Sequence, residues 1–345
     1  MNVLLVAPRA TGIGGVAYHV STLARKLVEE GFKVKIYSCE NTPHIPIKGL
    51  MNPSFTLAST LKALIDLPYP PKPYDVVHAH NIPSAPAMKA SWAKKRILTL
   101  HGVYREQVEE LHRWLPPRLT AWVERKALSW AHTLTAVSID IVQRYSKLGY
   151  RVHHVPNAVE LDKLPSNGIK LYEPQIAYLG RLSREKGVDL LIQAFKKMPS
   201  YHLLIIGGGP EENKLRRLAQ GRSNIHFLGP LPRQQALKYV KGSDMLIQPS
   251  RREGLSTSIL EAMAMGVPVV ATSVGGNTEL IKHQATGLLI KPNSVASIIE
   301  AVETLIANPS LAKNLAAQAK RHVAAHYSWD KALRQYIKLY EEAVG

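Results

Sequence analysis

Cysteine is almost absent from this 345-residue chain: Cys39 stands alone, so no intrachain disulfide can form and a disulfide-stapled scaffold is excluded. A reducing, cytoplasmic setting is the expectation. Long apolar runs are missing too. The opening MNVLLVAP meets Arg9 before it reaches the length of a signal-peptide core, and no later stretch has the length of a membrane span. Acidic residues are scarce, with 26 Asp and Glu against 44 Lys and Arg, a formal net charge of +18. Such a charge attracts anions of several kinds. However, the chain has no zinc-ligand spacing, no aromatic RNA-binding strand and no tidy recognition helix, which disfavours nucleic acid as the partner. Repeats and low-complexity tracts are also absent.

What is present is ordinary globular composition, 46% hydrophobic and 20% charged, in a chain long enough for two cores. Buried-strand runs alternate with helical patterns. VLLVAP (3–8) leads through TGIGG (11–15) to a helix over 16–30, and VKIYSC, YDVVHAH, RILTLHG, HTLTAVS and HHVPN continue the series. A second series starts at QIAYLGRL (175–182) and runs through HLLIIGGG, IHFLG, MLIQPS and VPVVAT. This rhythm predicts an α/β fold of two Rossmann-like, doubly wound parallel-sheet domains. The expected domains are 1–163 and 164–327, with LDKLPSNGIKLYEP (161–174) as the linker. The apolar face of 328–345 needs something to bury it. Residues 41–73 read as proline-rich and irregular around one short helix, TLASTLKALI.

Ligands of open α/β sheets bind beyond the carboxyl ends of the strands, expected here at a common crevice. GIGG there suits close backbone approach to an anion, but lacks the spacing of a dinucleotide fingerprint. Arg181 and Lys186, in GRLSREKG, suit a diphosphate, and GGGPE suits a base or ribose. In RREGLSTSILEAMAMGVPVVAT, a helix starting near Ser256 puts Glu253 before its N-terminus and Glu261 inside it. A plain structural reading also fits, with Ser258 and Glu261 as a capping box. Together these elements describe a diphosphate held by glycine N–H groups and cations. Glu261 would then accept from ribose hydroxyls, and Glu253 would lie near a second sugar. His78 and His80 are read as facing opposite sides of their strand, with one of them structural. Basic residues recur in 89–96 and at Arg105, Arg113, Arg118, Arg125 and Lys126, alternating with Trp114, Trp122 and Trp130. That pattern is either an amphipathic surface for an anionic membrane or a solvated face with tryptophans turned inward.

GIGGVAYHVSTLARKL, YDVVHAH, LTLHG, TAVS, VPNAVE, YLGRLSREKGVDLLIQAF, LLIIGGGPE, IHFLGPLP, SDMLIQPSRREGLSTSILEAMAMGVPVVAT and TGLLIKP together resemble the retaining nucleotide-sugar glycosyltransferases of GT-B architecture, glycosyl transferase group 1. The resemblance implies roles for matching positions. Gly14 and Gly15 would meet the donor diphosphate, and Arg181 and Lys186 would clamp it. Glu253 would contact the transferred sugar, Glu261 the ribose, and His101 would lie beside the reacting sugar. Gly208, Gly209, Leu231, Gly254, Leu255 and Ser256 fall in the matching donor-binding stretches. The final helix would pack back on the first domain. PNAVE departs from the family's usual PNGVD, so no donor role is carried to Asn157 or Glu160, and residues 41–73 match nothing.

The activity implied is metal-independent transfer of a hexose-type sugar, with retention, from a nucleoside-diphosphate sugar to an acceptor hydroxyl, without a cofactor. No Asp-x-Asp metal motif of sugar transfer occurs. Partners would be a UDP- or GDP-type nucleotide sugar, an acceptor glycan, lipid or small molecule, and an anionic inner-membrane surface. A same-fold epimerase or an inactive partner subunit of another transferase are the alternatives.

Overall fold

The computed structural model describes residues 1–11, 14–47, 49–66, 72–111 and 115–344. Contacts divide the chain into two compact units, Met1–Pro156 with Asp330–Gly345, and Asn157–Trp329.

The first unit contains β1 (Asn2–Val6), α1 (Gly15–Glu29), β2 (Lys33–Tyr37), α2 (Met51–Ile65), β3 (Tyr74–His80), α3 (Ala85–Ala90), β4 (Ala93–Leu100), α4 (Tyr104–Leu111), α5 (Pro117–Ser129), β5 (Thr133–Ala136), α6 (Ile139–Ser146) and β6 (Val152–His154). Its six strands pair in parallel in the order β2-β1-β3-β4-β5-β6. The order reverses beside β1, so β1 and β3 flank the topological switch point, where such sheets bind ligands. The strands are apolar because helices cover both faces of the sheet: Val3–Val6, Val76, Val77, Ile97 and Leu98 are all fully buried. Gly12 and Ile13 of the glycine loop lie outside the described residues, as do Arg113 and Trp114.

The second unit contains β7 (Gln175–Leu179), α7 (Val188–Phe195), β8 (His202–Ile206), α8 (Glu212–Leu218), β9 (Ile225–Gly229), α9 (Arg233–Lys241), β10 (Met245–Gln248), α10 (Thr257–Ala264), β11 (Val269–Thr272), α11 (Asn277–Leu280), β12 (Leu288–Ile290), α12 (Val295–Ala307) and α13 (Pro309–His326). Its six strands, again parallel, run β12-β11-β10-β7-β8-β9. The switch point here lies between β7 and β10. The unit's core is built from β7, β8 and β10 against α7 and α12, through Ile176, Tyr178, Leu191, Phe195, Leu203, Ile205, Ile247 and Val302. Helix α14 (Trp329–Val344) then starts at the end of the second unit and belongs mostly to the first. Its Ala332, Leu333, Tyr336 and Tyr340 recur at helical spacing and are buried.

Several local expectations change. Helix α2 begins at Met51, earlier than TLASTLKALI, because Pro53 falls in its first turn, where a missing N–H costs nothing. Residues 161–174, read as the interdomain linker, fall within the second compact unit. Ile169 N–H donates to Lys238 O at 2.8 Å, and the Gln175 amide donates to Ile169 O at 3.0 Å, which fastens the segment to α9 and to the start of β7. Among the described residues no single helix is long and apolar enough to cross a membrane.

Asn224 shows how a polar side chain holds this fold. Buried ahead of β9, it donates through Nδ2 to the carbonyls of Phe195, Met198 and Tyr201, at 3.0, 3.1 and 3.0 Å. Those contacts tie the end of α7 to the sheet. Asn224→Ala removes all three contacts, leaving Phe195 O and Met198 O with only the 3.2 Å N–H groups of Met198 and Tyr201, and is expected to lower unfolding free energy by about 2–3 kcal/mol. A denaturant titration reads the change, and a loss below about 0.5 kcal/mol would contradict the account, since that is the scatter of ordinary surface substitutions.

Candidate active site

In the second unit the charged residues meet where β7 and β10 end side by side. After β7 the chain makes one tight turn, Arg184–Lys186, and enters α7 through Gly187 at φ 67°. A side chain at Gly187 would collide with the Pro249 carbonyl at 2.2 Å, so glycine allows the β7 turn to lie directly on the end of β10. Arg251 N–H donates to Glu185 O at 2.7 Å, and the Arg251 guanidinium forks onto Asp189 at 2.8 and 2.7 Å, which locks the two loops together. Lys186 Nζ consequently donates to Glu253 Oε2 at 2.6 Å, and Ser250 Oγ donates to the same oxygen at 3.2 Å. The Lys186 and Glu253 side chains are 23% and 9% exposed, so this pair is poorly screened by water.

The loop carrying Glu253 is fixed from the other side as well. Gly276 N–H donates to Glu253 O at 3.3 Å, and a side chain at Gly276 would strike the Gly254 carbonyl at 1.9 Å. Asn157 Nδ2 donates to Leu255 O at 2.8 Å. Asn157 therefore holds the backbone beside the candidate donor residues, whatever it contributes to a ligand. Leu255 and Ser256 are buried. Ser256, not Ser258, is the N-cap of α10, accepting from Ile259 N–H at 3.4 Å. Ser258 instead accepts from the Gln248 amide at 2.7 Å. The capping box of Ser258 with Glu261 is thus not the arrangement formed.

Glu261 lies one turn further along α10 and is 3% exposed. Its partner is Arg233, at the start of α9, which no sequence pattern singled out. Burial pushes the Glu261 carboxyl up to about 7, and the Arg233 guanidinium pulls the other way. Arg181 is exposed directly after β7, and among the described residues no carboxylate pairs with it. Gly208 and Gly209 follow β8, where Leu182 N–H donates to Gly208 O at 3.0 Å. Leu231 is half-buried between β9 and α9. The structure thus brings Lys186 and Glu253 into contact, pairs Glu261 with Arg233, and leaves Arg181, Gly208, Gly209 and Leu231 at carboxyl ends of strands in the same sheet.

In the first unit, Gly14 and Gly15 open α1, and a Cβ added at Gly14 would meet no atom of the described residues within 4 Å. The histidines form a cluster. His80 Nδ1 and His101 Nε2 are 3.0 Å apart, His78 Nδ1 and the Tyr340 hydroxyl 2.7 Å, and His78 Nε2 and Thr99 Oγ1 2.6 Å. The His78 and His80 ring centroids are 4.3 Å apart, so the two share one face of β3. The opposite-face expectation was wrong in its geometry, because residues two apart in a strand project to the same side. His19, His80 and His101 bring ring nitrogens within 4.8 Å of one another, close enough in principle for a metal. Here His80 Nδ1 lies against His101 Nε2 and His19 Nε2 lies 3.1 Å from the Tyr336 hydroxyl, while His80 Nε2 has no hydrogen-bond partner among the described residues. Burial holds His78 down to about 3, and His80 and His101 well below an ordinary imidazole, so all three are neutral near pH 7.

Residues 161–322 match the family model described as glycosyl transferases group 1, and residues 13–163 match that of glycosyltransferase family 4. The chain belongs to these glycosyltransferases. An uncharacterized glycosyltransferase of Methanocaldococcus jannaschii is 33% identical over 185 residues, which is 52% of this chain and 47% of that one. The match therefore spans about half of that relative. Sucrose-phosphate synthase from Thermosynechococcus elongatus has the same fold at TM-score 0.80, with 20% identity and coverage of 99% and 98% of the two chains. Anabaena HepE, solved with UDP and glucose, superposes at TM-score 0.74, with 17% identity and 99% of each chain covered. The chain thus has two Rossmann-like sheets of the GT-B kind.

Glu261 gives a pH signature. Its carboxyl is raised on folding, so the folded protein holds a proton that the unfolded chain releases near 4.3. The stabilisation is complete below that value and is lost as pH rises through about 7. The loss amounts to roughly 4 kcal/mol. Glu261→Gln removes this slope, so its melting temperature should gain on the wild type between pH 5 and 8. Parallel melting curves across that range would contradict the assignment.

Proposed function

We propose that this glycosyltransferase moves a hexose-type sugar from a nucleoside-diphosphate sugar to an acceptor hydroxyl, with retained anomeric configuration. The observation that carries the reading is the 2.6 Å Lys186–Glu253 contact at the switch point of the sheet in the unit matching the group 1 model. That Anabaena HepE was solved with UDP and glucose supports a nucleotide-sugar donor.

On this reading Arg181 and Lys186 hold the diphosphate, aided by backbone N–H groups at Gly14 and Gly15. Gly208, Gly209 and Leu231 border the base, Gly254, Leu255 and Ser256 line the donor, and Glu261 accepts from the ribose. The acceptor oxygen forms its bond to the anomeric carbon as the carbon–phosphate-oxygen bond breaks. Its proton passes to the departing phosphate, whose growing charge the two cations stabilise. Glu253 stabilises positive charge on the anomeric carbon, and His101 contacts the transferred sugar. Lys186 neutralises Glu253 before donor arrives, which lowers the cost of holding a carboxylate there. The cations take the part a metal plays in other sugar transfers, so EDTA should leave the rate unchanged.

The acceptor side of the reading rests on the first unit. Leu57, Leu61, Leu64 and Ile65 of α2 are exposed, as are Leu119 and Trp122 of α5 beside Arg118, Arg125 and Lys126. Exposed aliphatic and tryptophan side chains next to cations suit an anionic membrane presenting a lipid-linked acceptor.

A thermal-shift screen of nucleotide sugars identifies the donor, and proton NMR of the product reads its anomeric configuration. With that donor, Glu253→Gln and Lys186→Ala are expected to lower kcat at least about 100-fold while circular dichroism shows both folded. Wild-type rates in both variants, or an inverted product, would overturn the reading.

A further inference from the structure

Within the histidine cluster, His80 and His101 present a question of tautomer that the geometry answers. His80 is fully buried, and its Nδ1 lies 3.0 Å from His101 Nε2. One of the two nitrogens must carry the proton. The other ring nitrogen of His80, Nε2, is buried with no hydrogen-bond partner among the described residues. If His101 donated, His80 would keep its proton on Nε2, as a buried N–H pointing at nothing. If His80 donates from Nδ1, only a bare lone pair is left at Nε2. An unsatisfied buried donor is the rarer and costlier defect.

The second arrangement fixes His101. With its Nε2 accepting, a neutral His101 ring carries its one proton on Nδ1. Burial, reinforced by repulsion among the clustered rings, disfavours a second proton on either residue. The backbone is held to match. Asn81, the residue after β3, adopts φ 65° and ψ 159°, a region nearly confined to glycine. In that conformation its Oδ1 accepts the His101 N–H at 2.9 Å, while its own N–H donates to Thr99 O at 2.8 Å. Two neighbouring residues thus hold His101, one by its ring and one by its backbone, and a strained conformation is spent on doing so.

We propose that His80 is a positioning residue that locks His101 as the Nδ1–H tautomer, so that His101 serves the transferred sugar as a hydrogen-bond donor and not as a base. This rests on the contact between His101 and the sugar given under Proposed function. A donor there holds a sugar oxygen in place without taking a proton, and leaves the acceptor's proton to the departing phosphate.

The test uses the full chain with 15N-labelled histidine. Long-range proton–nitrogen correlation spectra read the tautomer, and His101→Gln identifies the His101 signals. Wild type should show His101 as Nδ1–H. His80→Phe, which fills the site without a donor, should shift His101 toward Nε2–H and lower kcat roughly tenfold to a hundredfold, with donor KM changed less than about threefold. His80→Asn, whose amide nitrogen can stand near the original Nδ1, should keep the tautomer and most of the rate. Should His80→Phe fold poorly, the wild-type and His80→Asn spectra still decide. An Nε2–H signal in wild type, or an unchanged tautomer and kcat in folded His80→Phe while His101→Ala is inactive, would overturn the role of His80 alone. Undiminished transfer by His101→Ala would instead overturn the sugar contact on which it rests.

Discussion

The contact between the Lys186 ammonium and the Glu253 carboxylate is the constraint around which the second unit is arranged. Two opposite charges at 2.6 Å with little exposure persist only if the backbone holding them is rigid and their remaining hydrogen-bonding capacity is met. Gly187 lets the β7 turn rest on the end of β10, the Arg251–Asp189 fork ties the loops, Gly276 admits the Glu253 loop, and Ser250 shares the carboxylate. These features come from distant parts of the sequence. Their common effect is to place one cation and one carboxylate at the point where the strand order reverses.

A similar economy governs the first unit, with neutral groups in place of charges. The histidine cluster is buried too deeply to be charged, so orientation and tautomer carry its chemistry. The chain from Tyr340 through His78 to Thr99 and on to Thr135 aligns the interior hydroxyls, with Thr99 and Thr135 Oγ1 atoms 2.5 Å apart. It also ties α14 to β3. The helix that ends the chain therefore contributes to ordering the strand that carries His78 and His80.

Much of this was legible in the sequence, for identifiable reasons. Apolar runs such as VLLVAP and HLLIIGGG mark strands buried on both faces, and glycines or prolines follow them, so the doubly wound architecture was readable. Glu253 and Glu261 stand out by spacing on either side of a helix start. Arg233 did not, because its meeting with Glu261 is purely tertiary and it sits in an unremarkable helical pattern. Ser258 drew attention by its spacing to Glu261, although the chain turns into α10 two residues earlier, at Ser256. His80 stood out as a residue, but its role, like that of Asn81, was hidden for a different reason. What they do depends on which ring nitrogen faces which neighbour, and on a backbone angle that asparagine seldom adopts; residue order encodes neither.

The central proposal is that Lys186, paired with Glu253 before the donor arrives, holds the donor's diphosphate. Phosphorus-31 NMR of a nucleoside diphosphate titrated with wild type and with Lys186→Ala addresses it most directly. The account predicts a shifted, broadened β-phosphate signal with wild type, and one close to the free position with the variant at the same protein concentration. An identical β-phosphate shift with both proteins would contradict it.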